Sequence, residues 1–469
     1  MVTELCSRRF IHLRESLAQI WLICRKDFSV NLKTYKIPTA LAVITLLFVV
    51  SALVSEANYR SRLANWTANQ EAQQRLMVSG KISYHLKDGS IQHNIGVGKA
   101  PPVERPHPLS VLVKGTDFDL DREVSISSMI GFGSRQDYNA LSTLFDTPDF
   151  SFVVKFLVSL FGLLFSLDAI TREKEDGTLG ATLAHGAGRR EILCGKAIGA
   201  SASLSLVLML AYSIGIAYLY SSGTVAITWA HTTRILLLLA MSMVYGLVFV
   251  LLGLFISISS LRTKNATASG LLCWGALVLV LPNAALLAAK ILSPVPSYSQ
   301  LDTQMWYERR LIQREARSGS VDSDPQHEKD ALFRTFEIEK RLVDDFMARK
   351  SAQIEKARQF AVLCPPGAVM FGLSELAGTG TGAYRSYSEF VLKGRDRMIE
   401  SYKRAWDLPN EQGNKILREV DDSVKYSERP TEPLTMSLRM TVFPLISLIL
   451  WGSLLSFAAI FRFQRYDVQ

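Results

Sequence analysis

Six apolar runs, separated by polar segments of very unequal length, set the pattern of the chain. They cover residues 37–54, 150–167, 197–218, 235–257, 270–291 and 440–461. A bilayer core about 30 Å thick takes roughly 20 apolar residues as a helix, so each run predicts a membrane span. Either of the first two alone is short enough for a buried soluble helix, but six together point to a membrane. The polar segments 55–149 and 292–439 are each long enough to hold a small domain, whereas 221–234 is only a loop.

Local periodicity fills in the rest. In "LAQIWLICRKDFSVNLKTYKIP", Ile20, Ile23, Phe28 and Leu32 fall near one side and Arg25, Lys26 and Lys33 elsewhere. That amphipathic pattern predicts a helix lying in the membrane interface and turning inward at Pro38. Residues 55–149 open as a polar helix continuing from the first span, "ANYRSRLANWTANQEAQQRLM". The period then changes. "KISYHLKDGSIQHNIGV" alternates around Lys87-Asp88-Gly89, a hairpin signal, and "PLSVLVKG" and "REVSIS" read as further strands. Residues 292–439 are helical in pattern, with Leu332, Phe336, Val343, Met347 and Ile354 recurring every three or four positions. Pro365-Pro366 and "AGTGTGAY" read as a turn-rich break. The expected fold is mainly α: a six-helix transmembrane domain, a small α+β outer domain and a larger helical outer domain.

Charge orients this arrangement. Lys and Arg concentrate in 1–36, in 168–196 after the second run, at Arg262 and Lys264 after the fourth, and at Arg462 and Arg465 in the 462–469 tail. Every second loop is basic, as six spans with both termini in the cytoplasm require. The formal charge of +9 therefore reads as topology rather than nucleic-acid binding. The first apolar run starts late and lacks a small-residue cleavage site, so it is expected to be retained. On this map Cys6, Cys24 and Cys194 are cytoplasmic, Cys273 lies in a span and Cys364 alone is outside, which leaves no intrachain pair for a disulfide.

Several chemistries lack their residues. Gly195-Lys196 is the nearest approach to a phosphate-binding loop, but Arg190 replaces the upstream Gly and Ala197 follows the lysine. ATP and Mg are therefore not expected on this chain, and no catalytic, cofactor or metal residues are assigned. His85, His93 and His107 lack zinc-ligand spacing, and no Gly-x-Ser-x-Gly elbow occurs. Lys155 and Lys290 sit near span ends where they can snorkel, and Asp168 closes the second run. A membrane enzyme has no nucleophile, metal site or paired intramembrane carboxylates to work with.

What remains is "TREKEDGTLGATLAHGAGRREILCGKAIGA", Thr171 to Ala200. Its first part reads as one short cytoplasmic helix with acidic residues at its start, suited to the helix dipole. Leu179 and Leu183 are four apart, and Glu173 and Gly177 share a face one turn apart. Gly186 and Gly188 end the helix before Arg189 begins the next. The plain alternative is a loop whose arginines serve topology only. Arg172-Glu173, Gly177-Thr178-Leu179, Arg189 and Gly195-Lys196 together resemble the signature of ABC-2 type permease subunits. In that family this segment is the coupling helix that docks on the ATPase. The interfacial helix, the six-span layout, the basic loop after the fourth span and Leu281-Pro282-Asn283 resemble it too. "AHGAGRRE" is more glycine-rich than the family's usual stretch.

The large inserts after the first and fifth spans resemble the subgroup that includes nitrous-oxide-reductase maturation and gliding-motility permeases. The resemblance implies an export permease in the bacterial cytoplasmic (inner) membrane, with ATP hydrolysis confined to a separate ATPase subunit dimer. It implies a second copy or a homologous permease, membrane lipid around the spans, no nucleic acid, and Arg172, Glu173, Glu175, Gly177, Thr178, Leu179, Leu183 and Arg189 at the ATPase contact. A rival keeps the architecture but moves no substrate, passing ATPase-driven motion to a periplasmic protein.

Overall fold

Most of the chain is helix, as its periodicity requires. The computed structural model describes residues 2–78, 105–115, 124–127, 129–132, 149–184, 188–224, 228–318, 325–409 and 433–466, with isolated positions between 412 and 419. Helix α1 (Val2–Lys33) leads into α2 (Lys36–Val78), and α3 runs from Phe150–Val153 through a π-turn at Val154–Val158 into Ser159–Ser166. Two short helices follow, α4 (Thr171–Glu175) and α5 (Thr178–Ala184), then α6 (Arg189–Ser221) and α7 (Trp229–Ser259). Helix α8 passes from Thr263–Gly275 through a π-turn at Ala276–Val280 to Leu281–Leu292. The large insert is built by α9 (Tyr298–Ser318), α10 (Pro325–Val362), α11 (Pro365–Ala377) and α12 (Thr381–Trp406), and α13 (Leu434–Gln464) closes the chain. Six of these helices are long and apolar enough to cross a membrane, and each contains one of the six apolar runs. The charge pattern expects the end of the bundle holding residues 168–196 to face inward, and that end takes the label inner, the opposite end outer.

Glycines set how closely the spans pack. A Cβ on Gly162 would meet the Gly246 carbonyl at 2.9 Å, and one on Gly253 the Leu163 carbonyl at 2.7 Å. Small residues thus bring α3 and α7 into backbone contact, the usual means of association where lipid offers no hydrophobic drive. The same device seats α1 on α6. A Cβ on Gly195 would lie 3.0 Å from the Ile20 carbonyl, and one on Gly199 3.0 Å from that of Cys24. Helix α1 therefore turns Ile23, Cys24, Asp27 and Asn31 toward the bundle. Leu17, Trp21 and Leu32 are exposed on another side, flanked by Arg14 and Arg25. Leu32 was expected to share the Ile20–Ile23 face and does not. The chain also turns earlier than Pro38: Tyr35, at φ 59°, makes the left-handed break, and Pro38 falls in the first turn of α2 where its missing N–H is harmless.

The small α+β domain expected of residues 55–149 does not appear among the described residues. The polar helix after the first span is present as the continuation of α2, and "REVSIS" yields a strand, Val124–Ser127, paired antiparallel with Met129–Phe132. "PLSVLVKG" is not a strand. Pro108–Val111 forms a 3-10 turn capped by His107, and Leu109, Val111, Leu112 and Val113 are buried over the outer end of the spans. Apolar side chains on all sides of a short run suit a plugging turn better than a half-buried strand. The Lys87-Asp88-Gly89 hairpin lies outside the described residues.

The insert after the fifth span departs furthest from expectation. Pro365-Pro366 does not open a surface break; it starts α11, almost wholly buried against α7 and α13. Ser447 Oγ donates to the Val362 carbonyl at 2.6 Å, and Trp451 Nε1 donates to that of Leu363 at 2.8 Å. Trp451 is midway along the apolar run of α13, so the turn between α10 and α11 reaches mid-span depth. Backbone at that depth is tolerated only when buried in protein with its carbonyls paired, and two side chains of the sixth span pair them. Helix α11 then climbs past Pro444 and Met241 until Arg234 Nη1 takes the Leu376 carbonyl at 2.8 Å. Gly378, at φ 76°, ends it. Cys364 therefore sits at the tip of a re-entrant hairpin, not in the outer compartment. The amphipathic reading of α10 holds, since Phe336, Val343 and Met347 are buried and Ile354 is partly so.

A Cβ on Gly367 would overlap the Ala361 carbonyl at the hairpin tip, where backbone has no room to yield. Gly367→Val should destabilise the protein by about 1–3 kcal/mol, read as a lower melting temperature in detergent. A variant with wild-type melting would mean that the hairpin does not close here.

Candidate functional site

The inner end of the bundle gathers the residues singled out by sequence, but in two short helices rather than one. Asp176-Gly177 breaks the segment, Gly177 at φ 69°. Beta-carbon strain at that φ explains the glycine, and a Cβ there would meet nothing within 4 Å. Glu173 and Gly177 therefore share no helix face. Thr178 opens α5, and its hydroxyl donates to the Glu173 carbonyl at 3.4 Å across the break.

Six attachments hold this elbow to the bundle. Ser257 Oγ, near the end of α7, accepts from the backbone N–H groups of Ile170 and Thr171 at 3.0 and 3.1 Å. Lys174 Nζ donates to the Ile258 and Ser260 carbonyls at 2.6 and 3.1 Å. Glu175 reaches the first turn of α8, accepting from Thr263 N at 3.0 Å and Thr263 Oγ1 at 2.6 Å. Arg189 Nη1 donates to the carbonyls of Phe463, Gln464 and Tyr466, each at 2.8 Å. Leu179 is buried with Ile170, Ile192, Leu193, Ile258, Ala459 and Phe463, and Leu183 packs on the edge of that cluster. Cations thus sit on the C-terminal carbonyls of α7 and α13 and an anion on the N-terminus of α8, each at the end that its charge favours.

The sixth attachment is ionic. Lys196, 2% exposed, donates from Nζ to Glu173 Oε1 at 3.1 Å and Asp27 Oδ1 at 3.4 Å. Lys26 Nζ reaches the same Glu173 oxygen at 3.1 Å. Gly195-Lys196, the nearest thing to a phosphate loop in the sequence, instead makes a close helix contact and a buried cation. Losing the cation would strand Asp27 and leave Glu173 with only the exposed Lys26, and breaking one partner from a buried pair costs about 3–5 kcal/mol. Farther along, Lys36 Nζ holds Asp168 at 2.6 Å, joining the start of the first span to the end of the second.

Glu173 and Leu179 are thus turned inward, while Arg172, Glu175, Asp176, Gly177, Thr178 and Ala181 are exposed. Arg189 is half-buried beneath the last helix. Nothing in the local sequence pattern pointed to Lys26, Asp27, Lys174, Ser257, Thr263 or Tyr466 in this assembly. Their roles come from helix ends meeting in space; only the alternation of charge around the segment hinted at them. Among the described residues no group of His, Cys, Asp and Glu is placed to hold a metal ion.

Burial pushes the Asp27 carboxyl above its ordinary value of 3.8, with Glu173 adding to the rise and Lys196 and Lys26 opposing it. Between 3.8 and that raised value the folded chain holds a proton that the unfolded chain has lost. The site therefore favours folding as pH falls into the window and opposes it above. The melting temperature of wild type relative to Asp27→Asn should rise as pH drops from neutral toward the carboxylate range. A pH-independent difference would refute the assignment.

The geometry is that of a short elbow stapled to the inner ends of the first, third, fourth, fifth and sixth spans and their flanks. No curated protein matches the chain. The family model described as ABC-2 family transporter protein matches residues 21–468, from the interfacial helix to the tail. A match over nearly the whole chain, on a six-span bundle, makes this a multi-pass membrane permease of the ABC-2 transporter family.

Proposed function

We propose that this permease works with a separate ATPase and that the exposed side of the 171–184 elbow is where the ATPase docks. One observation carries the reading. An elbow with Glu173, Lys174, Glu175, Leu179 and Arg189 committed to five parts of the bundle still presents Arg172, Asp176, Gly177, Thr178 and Ala181 outward. Such a piece can take a push on one side and deliver it to several spans on the other. The site residues divide accordingly. Arg172, Gly177 and Thr178 meet the ATPase; Glu173, Glu175, Leu179, Leu183 and Arg189 hold the elbow in place. The chain alone neither binds nor hydrolyses ATP, which with Mg belongs to the partner.

The complex is an exporter with two permeases and an ATPase dimer. The fifth span supports the second copy: only 11% of its most apolar stretch is buried, against 61% for the second span, and it exposes Ser269 and Asn283 away from its ends. Polar groups at those positions fit a protein-lined seam better than lipid. The inserts after the first and fifth spans suit the subgroup that includes nitrous-oxide-reductase maturation and gliding-motility permeases, in a bacterial inner membrane with both termini cytoplasmic.

A second reading, the transmitter, is favoured by α10. Its 38 residues form a continuous rod about 57 Å long, and its inner end is held by Ser447 and Trp451 of the sixth span. Motion of that span would be levered to the far tip and to a periplasmic protein there.

Reversing the exposed charges, Arg172→Glu with Asp176→Arg, should weaken ATPase co-purification roughly tenfold or more, since each factor of ten is only about 1.4 kcal/mol. Glu337→Ala, on the surface of the insert, is the control and should change nothing. Undiminished assembly of the double variant would remove the docking surface from the elbow. By contrast, Glu173→Ala with Leu179→Asp is expected to unseat the elbow itself. For orientation, single cysteines at Thr182 and Gln304 in a cysteine-free background should differ: an impermeant thiol reagent labels the second in intact cells and spares the first. Labelling of Thr182→Cys would invert the topology.

A further inference from the structure

Besides the elbow's own contacts, its geometry singles out the end of the last span. We infer that the C-terminal end of α13 is a clamp that ties the elbow to the sixth span, with Arg189 and Tyr466 as its positioning residues. This rests on the reading of 171–184 as the docking segment and adds how a docked ATPase would move a particular span.

Three observations converge on the clamp. A single Arg189 nitrogen serves three carbonyls at and just past the helix end, of Phe463, Gln464 and Tyr466, all at 2.8 Å. The final carbonyls of a helix have no partners within it, so this guanidinium closes the helix end and is fixed by it. Phe463 is 1% exposed, in the same cluster as Leu179, with the Arg189 guanidinium 5.9 Å from its ring centre. Past the helix, the Tyr466 ring lies 4.2 Å from Lys174 Nζ, a cation–π contact. That lysine already holds the last carbonyls of α7. The tail thus grips the elbow from both sides, through Arg189 after α5 and Lys174 before it.

The arrangement has a mechanical consequence. Ser447 and Trp451, farther out on α13, hold the tip of the α10–α11 hairpin. Displacement of the elbow, passed through Lys174 to Tyr466 and through Arg189 at the start of α6, is therefore carried along one continuous helix to the hairpin and the insert. The fourth span receives the same displacement through Lys174. Without the clamp the elbow keeps its contacts to α1, α6, α7 and α8 and the packing of Leu179 on Ala459 and Phe463, so docking survives while the polar tie to the end of the sixth span is lost.

The test separates binding from transmission. Purified permease carrying Arg189→Met, reconstituted with its ATPase, should bind the ATPase within about twofold of wild type, while the permease-induced change in ATP turnover shrinks roughly fivefold or more. Arg189→Lys, which still offers a cation and three donors, should restore at least part of that change. Should Arg189→Met fail to reach the membrane, deletion of residues 466–469 removes one carbonyl and the ring over Lys174, and is judged by the same two readings. Turnover unchanged at intact binding overturns the clamp. So does loss of binding together with turnover, because Arg189 would then belong to the docking surface or to folding alone. The Arg172→Glu, Asp176→Arg variant reports separately on docking. If it still binds the ATPase while Arg189→Met uncouples, the docking reading falls and the clamp stands.

Discussion

A helix that crosses a bilayer ends in backbone groups with no partner of their own, and this chain meets that demand with side chains from elsewhere in the sequence. At the inner end, Lys174 takes the carbonyls that end α7, Arg189 those that end α13, and Glu175 an N–H that opens α8. At mid-depth, Ser447 and Trp451 take the carbonyls at the tip of the α10–α11 hairpin. At the outer end, Arg234 takes the last carbonyl region of α11. Satisfaction of helix ends is a local necessity. Because the satisfying groups lie on other helices, it becomes the wiring of the molecule.

That wiring explains why the elbow is charged. A hydrophobic segment of the same length would pack on the inner end but would leave the carbonyls of α7 and α13 to water. The charged version exchanges those waters for fixed cations, each worth about 0.3–1 kcal/mol from the dipole at an exposed site and more when partly buried. Five modest contacts to separate helices make a joint that is stiff as a unit although no single contact is strong. The exception is the Lys196 cation with Glu173 and Asp27, which is shielded from water and fails badly if one partner is removed.

The spans and their order were legible because a bilayer imposes a length and a polarity that each run of sequence carries by itself. The continuation of α2 and the buried face of α10 were legible for the same reason: a 3.6-residue period needs no knowledge of the neighbours. The hairpin was not. "CPPGAVMFGLSELAGTG" is apolar enough to be buried, but Pro-Pro reads as punctuation, and the groups that make its depth tolerable, Ser447 and Trp451, come more than eighty positions later. The turn at Leu109–Val113 misled for a related reason, since alternation cannot distinguish a strand from a plug that buries every side chain.

The candidate site divides along the same line. Its proposed place was read from the sequence, because Arg172-Glu173, Gly177-Thr178-Leu179 and Arg189 form a local pattern in the one basic loop that composition leaves without another task. The direction in which each side chain points was not. Glu173 and Leu179 looked like contact residues because a charge and a leucine on a short helix ordinarily face something, and here what they face is the chain itself. A positive-φ glycine at position 177 is what separates the two halves, turning the first into an anchor and leaving the second to pack through Leu179, with Leu183 at the edge. Residues that hold the elbow and residues that it leaves exposed therefore alternate around the same few turns. The sequence motif necessarily records both kinds together, and burial alone sorts them.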